Sequence, residues 1–180
     1  MHKEIIIIVA YAANNRAIGR NGGLPWKNIP TDMKRFAEKT KGHDVIMGRE
    51  TFWSIPEKHC PLSERNNIVV TTTQTQKDFP DGVIVCTSLD EALKKSSHQK
   101  IFLIGGTGIY KEAMDRGLAN TILATIVYAD TDTEPCDRFF PEMGNEWQNV
   151  AQEQKGLDEK TGIPIRFVTF MNRKNPAMNL

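Results

Sequence analysis

The run Lys3-Glu4-Ile5-Ile6-Ile7-Ile8-Val9-Ala10-Tyr11-Ala12 constrains this chain more than any other stretch. Four successive isoleucines are β-branched and favour a strand over a helix. Because the run does not alternate with polar residues, both faces of that strand must be covered, as at the centre of a parallel sheet. Met1-His2-Lys3 before it and the small residues Ala12 and Ala13 after it also give the outline of a signal segment. A stretch this short cannot span a membrane, its β-branching suits a sheet, and nothing later calls for disulfides. A buried strand is the reading that fits.

The rest of the chain alternates in a way that suits such a strand. At 180 residues it is expected to form one domain over residues 1–174 with a frayed tail at 175–180, burying about 70% of its unfolded surface. Pro30 at the first helical position, Met33, Phe36 and Ala37 on one face, and Gly42 as a stop predict a helix over residues 30–41. A short buried strand over residues 44–48 turns through Gly48 into a helix over 49–55, ended by Pro56. β-type segments follow at 67–72, 82–86 and 101–104. Between the last two, Ser88 and Glu91 form a capping box on a helix over 89–95. Further β-rich runs at 121–129, 147–154 and 163–172 have no helices between them and predict an antiparallel hairpin at the sheet edge. The fold class is therefore α/β, with a largely parallel sheet.

Charge and cysteines exclude several functions. The 23 basic and 22 acidic residues are intermixed, leaving a formal net charge of +1 and no basic stripe for nucleic acid. Cys60, Cys86 and Cys136 are far apart and odd in number, which suits reduced thiols in a cytoplasmic protein and offers no metal site. No heptad or long exposed apolar run argues for anything but a monomer.

Three stretches carry chemistry. Ile18-Gly19-Arg20-Asn21-Gly22-Gly23-Leu24-Pro25-Trp26 is too rich in glycine for a strand or helix interior, yet carries Leu24 and Trp26; that is the pattern of a lid over a pocket. Asp32 follows where the helical pattern opens. Spacing alone leaves it either a first-turn acid or cap, or a buried carboxylate of raised pKa that could relay a proton or hold an amidine-like ring. Gly48-Arg49 and Gly105-Gly106-Thr107-Gly108 are strand-to-helix turns whose free backbone N–H groups could face one pyrophosphate. Arg49 is either a surface charge or a bidentate phosphate donor. The glycine spacing is not that of the Rossmann fingerprint.

The lid, Leu24-Pro25-Trp26, Asp32 and the two turns together resemble bacterial-type dihydrofolate reductases over almost the whole chain. The resemblance implies a single domain with an eight-stranded, mostly parallel sheet, four helices and a C-terminal antiparallel hairpin. It implies reduction of dihydrofolate by NADPH, with Asp32, Leu24, Trp26 and Thr125 as the catalytic group. Asp32 would hold the pteridine and assist protonation at N5, and Thr125 would support its carboxylate. Val9, Ala10, Phe36, Ile55, Leu62, Arg65, Ile104 and Tyr110 would contact substrate, with Arg65 pairing to the glutamate carboxylate. From its own neighbours Arg65 reads only as a surface charge, and Phe36 equally as core.

For the cofactor the resemblance implies Ala10, Ile18 and Gly19 at the nicotinamide carboxamide, with Ile104 and Tyr110 near the ring. Gly48, Arg49 and Thr51, and Gly105, Gly106, Thr107, Gly108 and Ile109, would form the phosphate turns; Val70, Thr71 and Thr72 would border the adenosine and its 2'-phosphate. The chain departs from the family pattern in places. One extra residue between Ala10 and Ile18 leaves Val9, Ala10 or Tyr11 at the ring, and another stands between Trp26 and Pro30. Gly108 stands where related enzymes often carry Arg, so Arg49 and the threonines would carry the preference for NADPH. The segment around Glu134-Pro135-Cys136-Asp137 is longer than usual. A reductase of the same fold acting on a riboflavin-pathway pyrimidine would keep the phosphate turns but has no need for Leu24-Pro25-Trp26, Asp32 and Arg65 together; against a silent folate- or nucleotide-binding module stand the intact Asp32 and lid.

Overall fold

The computed structural model describes residues 3–153 and 155–175. Its centre is β1 (Glu4–Ala12), paired in parallel with β6 (Lys100–Leu103) on one side and β7 (Thr121–Val127) on the other. Parallel pairing continues outward through β3 (Asp44–Gly48), β4 (Asn66–Val70) and β5 (Ile84–Cys86). On the other flank β11 (Pro164–Asn172) pairs antiparallel with β7 and with the two-residue β10 (Gly156–Leu157). The order is β10-β11-β7-β1-β6-β3-β4-β5, eight strands in line, with β9 (Trp147–Gln152) also pairing with β11. β2 (Ala17–Gly19) and β8 (Arg138–Phe139) form a separate two-stranded ribbon.

Because β1 is covered on both faces, its side chains divide between two cores. Ile7, Val9 and Tyr11 pack with Leu89 and Ala92 of α3 (Leu89–Lys95) and with Ile109, Tyr110 and Ala113 of α4 (Thr107–Asp115). Ile6 and Ile8 pack with Val45, Met47, Phe102 and Phe52, the last from α2 (Arg49–Ser54). Phe52 is fully buried and meets Trp53 and Phe79 edge-on. Phe52→Ala is therefore expected to cost about 3–5 kcal/mol, as for other emptied aromatic sites. At about 2–4 °C per kcal/mol for a chain this size, Tm should fall by roughly 10 °C in a calorimetric scan; an unchanged Tm would mean that the cavity collapses.

Two local expectations change. Ser88 Oγ accepts from the Glu91 backbone N–H at 3.2 Å, but the Glu91 carboxylate goes one residue further back, to Thr87 N and Oγ1. Only half of the capping box closes on Ser88. The helix α1 (Pro30–Thr40) turns inward the face of Asp32 and Phe36, one turn apart, and so leaves Met33 43% exposed rather than buried. Thr40 is its only buried residue, and Phe36 on the inward face is half-buried against the Phe52 core.

The start of α1 has no cap of its own: Ile29 precedes it. Asp158, in the connection from β10 to β11, supplies the acceptor, taking Thr31 N at 3.0 Å and Thr31 Oγ1 at 2.6 Å, and also Thr161 N and Oγ1. These donors hold the Asp158 carboxyl well below the ordinary range, with the Thr31 hydroxyl foremost. A carboxylate of lowered folded pKa stabilises the fold above its ordinary pKa and loses that contribution as the pH falls toward the folded value. Asp158→Asn should therefore lower Tm at pH 7, with the gap to the parent closing as the pH is taken down from 5. A gap constant with pH would show that the carboxylate charge is not what caps α1.

The residues 147–154 expected to be β-rich form β9 as far as Gln152; Gln154 and the tail at 176–180 lie outside the described residues. All three cysteines are free thiols. No helix among the described residues is long and apolar enough to cross a membrane.

Candidate active site

A cavity of ≈ 530 Å³ opens where β1, β3 and β6 end. It is bordered by Val9 and Ala10 of β1, by Gly48, Arg49, Glu50, Thr51 and Ser54 around α2, and by residues 104–110. Gly48 N donates to Gly105 O at 2.8 Å, so the two glycine turns are joined directly through their backbones. Gly105 sits at φ +126°, and a Cβ there would lie 3.2 Å from Thr51 Oγ1. A side chain at this position would crowd Thr51 and the Tyr110 hydroxyl, 3.4 Å away.

The lid forms the opposite wall through Ile18, Gly19, Gly22, Gly23 and Leu24. Glycine content suggests a mobile loop, but the lid is a tight hairpin. Arg20 and Gly23 exchange backbone hydrogen bonds of 2.9 Å, and the turn between them uses Asn21 at φ +49° and Gly22 at φ +78°. Two central residues at positive φ define the Asn-Gly turn that best suits a hairpin. Arg20 then ties the hairpin down, donating to Pro25 O, Thr131 O and Glu134 O. Leu24 is 46% exposed on the cavity wall. Trp26 is buried among Ala12, Ala17, Ile29, Val127 and Ile165 and is not part of that wall. Its place is that of an anchor for the lid.

Asp32 lies in the first turn of α1, half-buried, and is not itself on the cavity wall. The helix start is capped by Asp158, while Asp32 accepts a hydrogen bond from the Thr125 hydroxyl. Burial pushes the Asp32 pKa up; Thr125 and the Arg35 guanidinium pull it partly back. Thr125 is fully buried on β7, opposite Ala10 of β1 in the register, so the carboxylate stands beside the strand whose end lines the cavity. Val9 and Ala10 reach the wall; Tyr11 turns away and stacks on Phe140 at 5.5 Å. The Tyr110 hydroxyl donates to Ile8 O at 2.9 Å. Burial, reinforced by the Asp32 charge, raises its pKa far above the ordinary phenol value.

Beyond the cavity wall, Phe36, Ile55, Cys60 and Leu62 are half-buried together against the Phe52 core. Arg65 lies next to them, with its guanidinium 5.9 Å from the Phe36 ring. On the other flank, Arg49 Nη1 donates to Thr73 Oγ1 at 2.8 Å, and the Thr71 and Thr73 hydroxyls lie 3.4 Å apart. The expected strand stops at Val70; Thr71 is buried and Thr72 exposed, and Val70, Thr71 and Thr72 do not line the cavity. Sequence reasoning missed Thr73 and Arg35, whose Nη1 donates to Thr125 Oγ1 at 3.4 Å and whose guanidinium lies 4.4 Å over the Phe167 ring. It also missed Glu50, Asp137 and Arg138 on the cavity wall. Arg35 stands three residues from Asp32, a helical spacing that could have raised it; the others depend on distant pairings.

A cleft at the carboxyl ends of parallel strands, between two glycine turns and a lid, is the binding place of a small molecule in open α/β sheets. The family model for dihydrofolate reductase matches residues 4–172. Among curated relatives, the dihydrofolate reductase of Aedes albopictus is 34% identical, over 92% of this chain and 95% of its own length. That of Sus scrofa is 33% identical over 90% and 95%, and the enzyme named dihydrofolate reductase HdrB of Haloferax volcanii is 31% identical over 95% and 84%. The chain belongs to the dihydrofolate reductase family.

Proposed function

We propose that this chain reduces 7,8-dihydrofolate to 5,6,7,8-tetrahydrofolate with NADPH, as a cytoplasmic monomer. The observation that carries the reading is a half-buried carboxylate, Asp32, placed with Thr125 next to the end of β1 where the cavity wall begins, its pKa raised by burial. A pteridine offers that carboxylate a 2-amino group and a ring nitrogen, two donors matched to its two oxygens. The cavity suits a dinucleotide: its wall at Gly48 and residues 105–108 is largely backbone, with Thr51 behind it.

Bound NADPH would supply a hydride from nicotinamide C4 to C6 of the pteridine. The protein's own residues do the rest. Ala10, Ile18 and Gly19 hold the carboxamide, with Ile104 and Tyr110 behind the ring; Gly48, Arg49, Thr51, Gly105, Gly106, Thr107, Gly108 and Ile109 border the phosphates. Val70, Thr71 and Thr72 border the adenosine. Val9, Phe36, Ile55 and Leu62 orient the substrate rings, and Arg65 takes the glutamate carboxylate. Asp32 supports protonation at N5 from water admitted beside Leu24, while the hairpin anchored by Trp26 keeps bulk water out during transfer.

The test is loss of NADPH absorbance when dihydrofolate is added to purified protein, beside NADH and a control without folate. Rapid oxidation that needs both reactants is the expected result. NADPH that binds but is not oxidised would return the chain to another heterocycle or to a silent binding module.

A further inference from the structure

Four charged residues line the cavity, Arg49, Glu50, Asp137 and Arg138, so its wall carries no net charge. All four have partners, and Arg138 Nη1 also donates to Asp137 O at 3.0 Å. Arg49 is engaged by Thr73, Asp137 Oδ2 accepts from Asn21 N of the lid at 3.3 Å, and Glu50 Oε2 accepts from Arg138 Nη2 at 3.1 Å. Glu50 stands two residues after Gly48, where its charge would repel a phosphate seated in front of the joined turns. Arg138 offsets that charge from a segment 88 residues away.

The Glu50–Arg138 pair is weak, because the two side chains are 68% and 51% exposed. The position of Arg138 is not weak. Its backbone pairs with Gly19 in the β2–β8 ribbon, and a Cβ on Gly19 would lie 2.9 Å from Arg138 Cβ, so the stem rests directly on the lid strand. On the other side, Thr107 Oγ1 donates to Phe139 O at 2.9 Å and ties β8 to the first residue of α4. Next to Thr107, a Cβ on Gly108 would meet nothing within 4 Å, leaving room for the arginine head. A guanidinium so placed can exchange one exposed carboxylate for the two oxygens of a phosphate, a geometry for which it is better suited than an ammonium.

We propose that Arg138 is the cation that binds the diphosphate of the dinucleotide, leaving Glu50 to do so and coupling the lid ribbon to the occupied cavity. The proposal rests on the reading of this cavity as a dinucleotide site. It gives opposite signs to the two members of one ion pair: Arg138 favours the diphosphate and Glu50 opposes it.

Fluorescence titrations with NADPH, NADH and adenosine 2'-monophosphate test this on the parent protein, Arg138→Gln, Arg138→Lys and Glu50→Gln. Arg138→Gln should weaken NADPH and NADH by the same factor, about tenfold to a hundredfold, the range for a hydrogen bond to a charged group. Adenosine 2'-monophosphate, which has no diphosphate, should bind unchanged. Arg138→Lys should recover part of the loss, and Glu50→Gln should tighten both dinucleotides. A loss confined to NADPH would move Arg138 to the 2'-phosphate and overturn the proposal. Weakening by Glu50→Gln as well would reduce the pair to a structural tie and overturn it equally. A parent protein that binds neither dinucleotide would remove the cofactor reading itself, whereas a binding parent with an unaffected Arg138→Gln would remove Arg138 alone.

Discussion

Asp32→Asn should keep NADPH affinity and lose activity at neutral pH by a factor on the order of 10² to 10⁴, the range for a positioned acid–base group. Asparagine is nearly the same size and can still accept from Thr125, so the fold around α1 should persist. It cannot ionise, and it presents one acceptor oxygen where the carboxylate presents two. Near-normal turnover would take Asp32 out of the reaction. A second readout separates chemistry from packing. Burial is the largest influence on Asp32 and raises its pKa, with Thr125 and Arg35 opposing. A carboxyl whose folded pKa is raised weakens the folded state once the pH has climbed past the ordinary value, about 4. Below that value the penalty vanishes. Asp32→Asn should therefore melt above the parent at pH 7, with the advantage shrinking as the pH falls from the raised folded pKa toward about 4. A variant that melts lower at every pH would show that the carboxylate is structural.

Arg65→Leu should raise KM for dihydrofolate about tenfold to a hundredfold while kcat and NADPH affinity stay near the parent values. The guanidinium is preset. Nε donates to Thr40 Oγ1 at 2.9 Å, Nη1 to Ser63 O at 2.7 Å and Nη2 to Ala37 O at 3.4 Å. These bonds fix the plane of the group against the end of α1, and partial burial lowers its pKa without threatening its charge. No carboxylate forms an ion pair with it among the described residues; its neighbour Glu64 is paired with Lys41 at 2.9 Å. A cation oriented yet unpaired, with donors to spare, is a seat for a carboxylate. Arg65→Lys should recover little, because an ammonium lacks the planar fork. A dihydropteroate substrate without the glutamate tail provides the control: its KM should be indifferent to Arg65. An equal rise in KM for both substrates would show that Arg65 supports α1 and does not read the tail.

The parts of this molecule legible in its sequence are those whose cause is local. The run at Ile5–Ile8 could only be a doubly covered strand, and β1 lies at the centre of the sheet. Residues 44–48, bounded by Gly42 and the Gly48 turn, are β3 with the expected limits. Pro30 opens α1 as its spacing predicted. The glycine turns were readable as turns, but their meeting through Gly48 N and Gly105 O joins elements 57 residues apart in number, and no local pattern states it. The site was harder still. The resemblance named Asp32 and Arg65 as candidates because the motif travels with them, whereas Arg35, Thr73 and Arg138 are placed by partners on distant segments. Met33 misled for a related reason: helical spacing fixes which residues share a face, and what that face meets is decided by strands distant in sequence. The lid misled in the opposite direction, since Asn21-Gly22 is the signature of a tight hairpin and the glycine count obscured it.

The cap that Asp158 places on Thr31 spans 127 residues of sequence. The first turn of α1, which carries Asp32, is thus capped by a segment synthesised long after it, and Thr125, which lowers the Asp32 pKa, also comes late. A chain emerging from the ribosome can pair β3 with β4 while the Asp32 carboxyl is still unsupported. Contacts of such long separation are slow to form and are gained near the end of folding. Competence to bind substrate should therefore be acquired in one late step, when β11 docks beside β7, so that partly made chains hold no substrate out of turn.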